Sequence, residues 1–172
     1  MKVPFRVVRS AYRERRCRKT VPEILCVRHA VGKAQKAVLP RAARFVLGGD
    51  TIVWHEGHGL GKPKTRAEAL RMLRRLAGRK HEVYTGLAIL DRKAKRLLTG
   101  CVKTEVWMKS VSDAWLQNYV EAIHPFDKAG AYAIQARLKI VRKIRGSYSN
   151  VVGLPKELLR RMLKAMEKET DV

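Results

Sequence analysis

An aspartate, two lysines and several glycines stand at the ends of apolar runs in this chain. That mixture suits a site for phosphate and a divalent cation. Gly48-Gly49-Asp50-Thr51 closes the run Phe45-Val46-Leu47, and Gly61-Lys62-Pro63 follows one hairpin later. Asp127-Lys128-Ala129-Gly130, running on to Gln135, and then Asn150 to Pro155, come much further along. Glycine lets a backbone approach phosphate, lysine neutralises it, and a carboxylate holds a cation or activates water.

Asp50 has the best address. Ligands of α/β sheets collect at the carboxyl ends of strands, and Asp50 follows an apolar strand and two glycines. Its plainer reading is an Asx-turn carboxylate that shapes the loop. Gly57 to Lys62 superficially suggests a P-loop, but Glu56 stands where glycine is required and Lys62 precedes proline. Asp127 and Lys128 suit either substrate contact or a local ion pair holding their loop. Trp54, Trp107 and Trp115 read as core rather than as stacking platforms.

The elements that must position these residues follow from periodicity and capping. Val3 to Val8 reads as a strand. Thr20-Val21-Pro22-Glu23 has the form of a capping box and opens a helix to about Val38, with Ile24, Val27, Ala30, Val31 and Ala34 on its inner face. Phe45 to Leu47 reads as a short strand, and Thr51 to Trp54 as the first arm of a hairpin. Thr65 to Glu68 is a second capping box, with Gly78 as the stop of its helix. Strands are expected over Glu82 to Leu90, Leu97 to Met108 and Leu138 to Ile144. Ser112 caps a helix, and Pro155 lies just inside the last one. The sum is an α/β domain over residues 1–172, a mixed twisted sheet flanked by helices.

At 172 residues with 46% apolar content, the chain can bury a proper core. No apolar run reaches the ~18 residues of a membrane helix. Cys17, Cys26 and Cys101 are odd in number and lack CxxC spacing, which disfavours a disulfide framework or structural zinc and favours a reducing cytoplasm. His55 and His58 flank a glycine turn, so a histidine metal site is not expected. Lys and Arg number 38 against 15 Asp and Glu, a net charge of +23. Such a field attracts nucleotides or nucleic acid; spread along the whole chain, it also fits a merely solvated basic surface.

Taken in order, these motifs and the linking segment Arg79-Lys80-His81-Glu82-Val83-Tyr84-Thr85-Gly86 resemble the Maf-type nucleoside triphosphate pyrophosphatases. The resemblance implies a two-lobed fold around a cleft, like that of inosine triphosphate pyrophosphatase. It makes Asp50 the general base and Lys62 a phosphate-binding lysine. Lys33, Thr51, Gln135, Asp127 and Lys128 become substrate-binding positions, with Thr51 and Gln135 matching the branch acting on dTTP and UTP. Glu14, in Ser10-Ala11-Tyr12-Arg13-Glu14, aligns with a second acid that would share Mg²⁺ or Mn²⁺ with Asp50. Arg13 stands where that family commonly has an acid, and Ala133 and Ala136 replace two of its glycines.

The implied reaction is attack of water on the α-phosphate, yielding a monophosphate and pyrophosphate in a cytoplasmic enzyme, with homodimerisation common in the family. The alternative is a catalytically weak relative that binds nucleotide or nucleic acid through its basic surface. The family's leading Ser-x-Ser-Pro-Arg-Arg segment has no counterpart ahead of Val3, and the cluster Arg15 to Lys19 follows Glu14 instead. The sequence is therefore read as shortened at its N-terminus, with a start further upstream as the favoured explanation.

Overall fold

The computed structural model describes residues 4–14, 20–39 and 43–168. Helix α1 (Pro22–Gln35) precedes strands β1 (Phe45–His55) and β2 (His58–Leu60). Helix α2 (Arg66–Leu76) leads to β3 (Lys80–Asp91), β4 (Arg96–Met108) and α3 (Asp113–Ile123). Two 3-10 turns (Pro125–Asp127 and Ala129–Ala131) lead to β5 (Val141–Arg145), α4 (Tyr148–Val152) and α5 (Lys156–Lys168). The strands form one sheet in the order β2-β1-β3-β4-β5. Helices flank it as expected. All four pairings are antiparallel, so the described strands contribute no parallel part.

Side chains alternate across a strand, and each face of this sheet has its own helices. Val46 and Ala88 pack with Ala30 and Ala34 of α1 on one face. Val53, Val83 and Val106 point the other way into the main core, with Leu73 and Leu76 of α2 and Leu116 and Tyr119 of α3. Leu87 and Ile89 on that second face meet Leu158, Met162 and Met166 of α5.

Several local expectations change for physical reasons. Residues 4–9 carry no strand; Phe5 and Val7 are exposed, and Ser10 alone bridges to Ala37. No described strand lies beside them; the Arg9 carbonyl accepts instead from the Val38 N–H beyond α1. The run at Phe45 does not stop at Leu47 but continues through both glycines and Asp50 to His55, in register with β3 throughout. Asp50 is therefore a mid-strand residue, opposite Gly86, rather than a strand-tip residue.

Helix α1 is capped by Val21 without a side-chain bond, because Pro22 sets the first turn one residue later than the Thr20 box requires. Its sheet-facing side is also rotated from the expected one. Cys26, His29, Ala30 and Ala34 are buried, whereas Ile24 is exposed. Close helix–sheet approach selects these smaller side chains. The second capping box holds, with Thr65 accepting from the Glu68 amide. The last helix begins at Lys156, leaving Pro155 just ahead of it. Arg15 to Lys19 lies outside the described residues.

Candidate active site

The glycines of β1 and β3 bring α1 down onto the sheet. A Cβ on Gly48 would meet the Ala30 carbonyl oxygen at 2.1 Å, and one on Gly86 would meet the backbone of Cys26 at 2.5 Å. These two glycines therefore make room for helix backbone. The sequence reading gave the freedom of Gly48 to an approaching phosphate.

With α1 so close, Lys33 in its last turn reaches Asp50. Lys33 Nζ stands 2.6 Å from Asp50 Oδ1 and 2.7 Å from Glu14 Oε1. The segment carrying Glu14 is tied along the same helix end. Ser10 Oγ donates to the Lys33 carbonyl, Ala11 N–H to the Lys36 carbonyl, and Val38 N–H to the Arg9 carbonyl. One lysine thus bridges two carboxylates from segments far apart in the chain.

The electrostatics differ between the two acids. Burial raises the Asp50 pKa above the usual carboxylate range, and Lys33 offsets this only in part. Burial also works against Glu14, yet the bond and charge of Lys33 hold that carboxyl below its ordinary value. Burial opposes the Lys33 ammonium too, but its two carboxylate partners outweigh it and raise the lysine's pKa. Asp50 is thus poised as the more basic carboxylate of the pair.

Lys62 is exposed, and its positive charge acts on both Glu14 and Asp127. Its charge therefore reaches both the acid–lysine–acid array and the Asp127 loop. The Gly130 amide donates to the Gly61 carbonyl at 3.0 Å, tying the Gly61-Lys62-Pro63 loop to that second motif. Gly130 has φ +70°, and Val53 lies 3.1 Å from where its Cβ would be. Asp127 and Lys128 form the local ion pair allowed for in the sequence reading.

Two candidates stand apart from this group. Thr51 points to the opposite face of β1 from Asp50 and shares a hydrogen bond with Thr85 at 2.9 Å. Thr85 donates in turn to the Asn150 carbonyl, and Asn150 Nδ2 donates to Val83 O and Thr104 Oγ1. The Asn150 segment is thus a buried strut beneath Thr51. Gln135 is exposed in the irregular segment after the second 3-10 turn.

Sequence reasoning missed His29 and Tyr12. His29 is buried, shares a 2.9 Å hydrogen bond with the Tyr12 hydroxyl, and its charge acts on Asp50 and Glu14. The signal was present: His29 lies four residues before Lys33, one turn along the same helix face. The Tyr12 ring occupies the space that a side chain at Gly32 would take. A hollow of about 420 Å³, lined by Ala11, Tyr12, Arg13 and Lys36, borders this corner. A second, of about 530 Å³, lies between Trp54 and Glu82, and neither is lined by Asp50.

The donor set suits a hard cation. Two carboxylate oxygens already converge on one ammonium, and Mg²⁺-type sites take one or two carboxylates together with substrate phosphates and water. Among the described residues no three His, Cys, Asp or Glu side chains gather into a ready-made metal cluster. Phosphate oxygens and water would therefore complete the shell. No helix among the described residues is long and apolar enough to cross a membrane.

An antiparallel sheet with an acid–lysine–acid array under helix α1 defines an α/β protein whose polar centre lies at the helix–sheet seam. Residues 1–166 match the family model described as Maf-like protein, and the chain belongs to that family. It is 47% identical over 154 residues to the dTTP/UTP pyrophosphatase of Geobacter sp. (strain M21), covering 89% of this chain and 80% of the relative. The dTTP/UTP pyrophosphatase of Geotalea uraniireducens (strain Rf4) is 44% identical over 165 residues, 93% of this chain and 85% of that one. The protein of the same name from Methanosarcina mazei is 37% identical over 165 residues, 95% and 82% of the two chains.

Proposed function

We propose that this protein hydrolyses dTTP and UTP to the monophosphate and pyrophosphate. The observation that carries the reading is the buried Asp50 carboxylate, kept more basic than usual beside Lys33 and Glu14. The names of the relatives supply the substrate, and the array supplies matching chemistry.

Asp50 accepts the proton of the attacking water, a task its raised pKa suits. Lys33 keeps Asp50 and Glu14 aligned, and Lys62 offers an exposed cation to the phosphate chain. Glu14 and Asp50 would hold Mg²⁺ or Mn²⁺, which supplies charge neutralisation at the phosphates when bound. Thr51 and Gln135 are assigned to base recognition on the resemblance alone. Three cysteines, odd in number and without CxxC spacing, favour a reducing compartment, the cytoplasm.

The deciding experiment is pyrophosphate release from dTTP and UTP with Mg²⁺ or Mn²⁺, run beside Asp50→Asn and Lys62→Ala. Release is expected from the native chain, with a loss of about 10²–10⁴-fold for Asp50→Asn. Lys62→Ala should raise KM by about tenfold, the weight of one exposed phosphate contact. No release from the native chain would overturn the enzymatic reading. The net charge of +23 favours a second reading, polyanion binding without cleavage. Affinity for DNA that falls steeply with salt, in a protein that releases no pyrophosphate, would establish it.

A further inference from the structure

Two thiols 75 residues apart meet at the seam between α1 and the sheet. Cys26 Sγ lies 3.4 Å from Cys101 Sγ, and both are free. Cys26 on α1 is fully buried, whereas Cys101 on β4 is partly exposed. Gly86 brings them together. It is the register partner of Cys101 on β3, and its missing side chain lets the Cys26 backbone settle on the sheet. A disulfide bond is about 2.05 Å long, so closure needs an approach of about 1.4 Å from the observed separation.

We propose that Cys26 and Cys101 form a reversible redox site, closed to a disulfide by a small-molecule disulfide such as oxidised glutathione. Cys101 is the entry point. It is the accessible member, and the hydrogen bond from Cys26 lowers its pKa, whereas Cys26 is pushed up by that same bond and by burial. The Cys101 thiolate attacks oxidised glutathione, forming a mixed disulfide and releasing one glutathione thiolate. Cys26 then attacks the Cys101 sulfur, and its proton leaves with the second glutathione, which departs as the thiol. Two protein thiols are oxidised, and one glutathione disulfide is reduced to two thiols.

Closure would fasten α1 to β4 directly. Cys26, His29 and Lys33 are spaced three and four residues apart along one face of α1, so the bond acts on the helix that carries Lys33. It also closes a long loop, which restricts the unfolded chain and stabilises the folded one.

The test uses the full, reduced chain without nucleotide, equilibrated in glutathione redox buffers, then alkylated and mapped by mass spectrometry. The expected product has lost two hydrogens and yields a peptide joining Cys26 to Cys101, reversed by dithiothreitol. Its melting temperature should rise by about 5 °C or more, with slower amide exchange in α1. Cys101→Ser should leave Cys26 unreactive toward oxidised glutathione. A reaction that stops at a glutathione adduct on Cys101, a bridge to Cys17 instead, or an oxidised form that melts lower would each overturn the proposal.

Discussion

Lys33 Nζ meets Asp50 Oδ1 at 2.6 Å across the seam between α1 and β1, and the same ammonium holds Glu14. Asp50 is 8% exposed and Lys33 28% exposed, so the pair is largely withdrawn from water. An ion pair of this kind has little net worth compared with its absence. Removing one partner alone is costly, because the other charge is left buried.

Lys33→Met should therefore destabilise the fold by about 1–3 kcal/mol in urea unfolding, below the full buried-pair range because Lys33 keeps some solvent. Adding Asp50→Asn to Lys33→Met should recover much of that loss. Additive losses in the double variant would mean that the two side chains do not depend on each other.

The pH dependence of activity follows from Asp50. Its pKa is raised by burial, and it must be ionised to accept a proton, so kcat/KM should climb with pH through an acid limb above the ordinary carboxylate range. Glu14, held low by Lys33, should be ionised across that limb. Lys33→Met removes the charge that restrains Asp50 and should move the limb to higher pH. The same limb in the residual rate of Asp50→Asn would assign it to another group.

Neighbouring glycines should respond differently to the same methyl group. At Gly48 it would meet the Ala30 carbonyl oxygen at 2.1 Å, and backbone cannot swing aside. At Gly49, on the other sheet face, the nearest atom is the end of Leu87 at 3.4 Å. Gly48→Ala should cost about 3 kcal/mol or more, and Gly49→Ala less than about 1 kcal/mol, by denaturant unfolding.

Acid should weaken this protein partly through His81. Its ring is 2% exposed, Nε2 shares a 2.8 Å hydrogen bond with the Tyr132 hydroxyl, and burial followed by the charge of His55 lowers its pKa to about 3. The unfolded chain then binds a proton that the folded one refuses. Stability should be lost as pH falls from about 6.5 toward 3, by about 4–5 kcal/mol in all. His81→Gln should flatten that part of the curve; an unchanged difference between the two proteins across that range would exclude His81 as the source.

Short-range chemistry was readable directly from the residues. Thr65 and Ser112 cap their helices, Gly78 stops one, and Asp91 to Lys95 turns β3 into β4, because each depends on neighbours a few positions away. The motifs bearing Asp50, Lys62 and Asp127 were likewise legible, and Gly130 binding Gly61 brings two of them together. The inner face of α1 and the true length of β1 were not legible, since both depend on how closely a helix can settle on Gly48 and Gly86. The bridging of Asp50 and Glu14 by Lys33, the contact of Cys26 with Cys101, and the turning of Thr51 away from Asp50 were decided in the same way. Capping and turn signals act through backbone bonds a few residues long, so the residues alone determined them. Which buried groups share a seam depends on packing between segments tens of residues apart, and only the tertiary structure settles that.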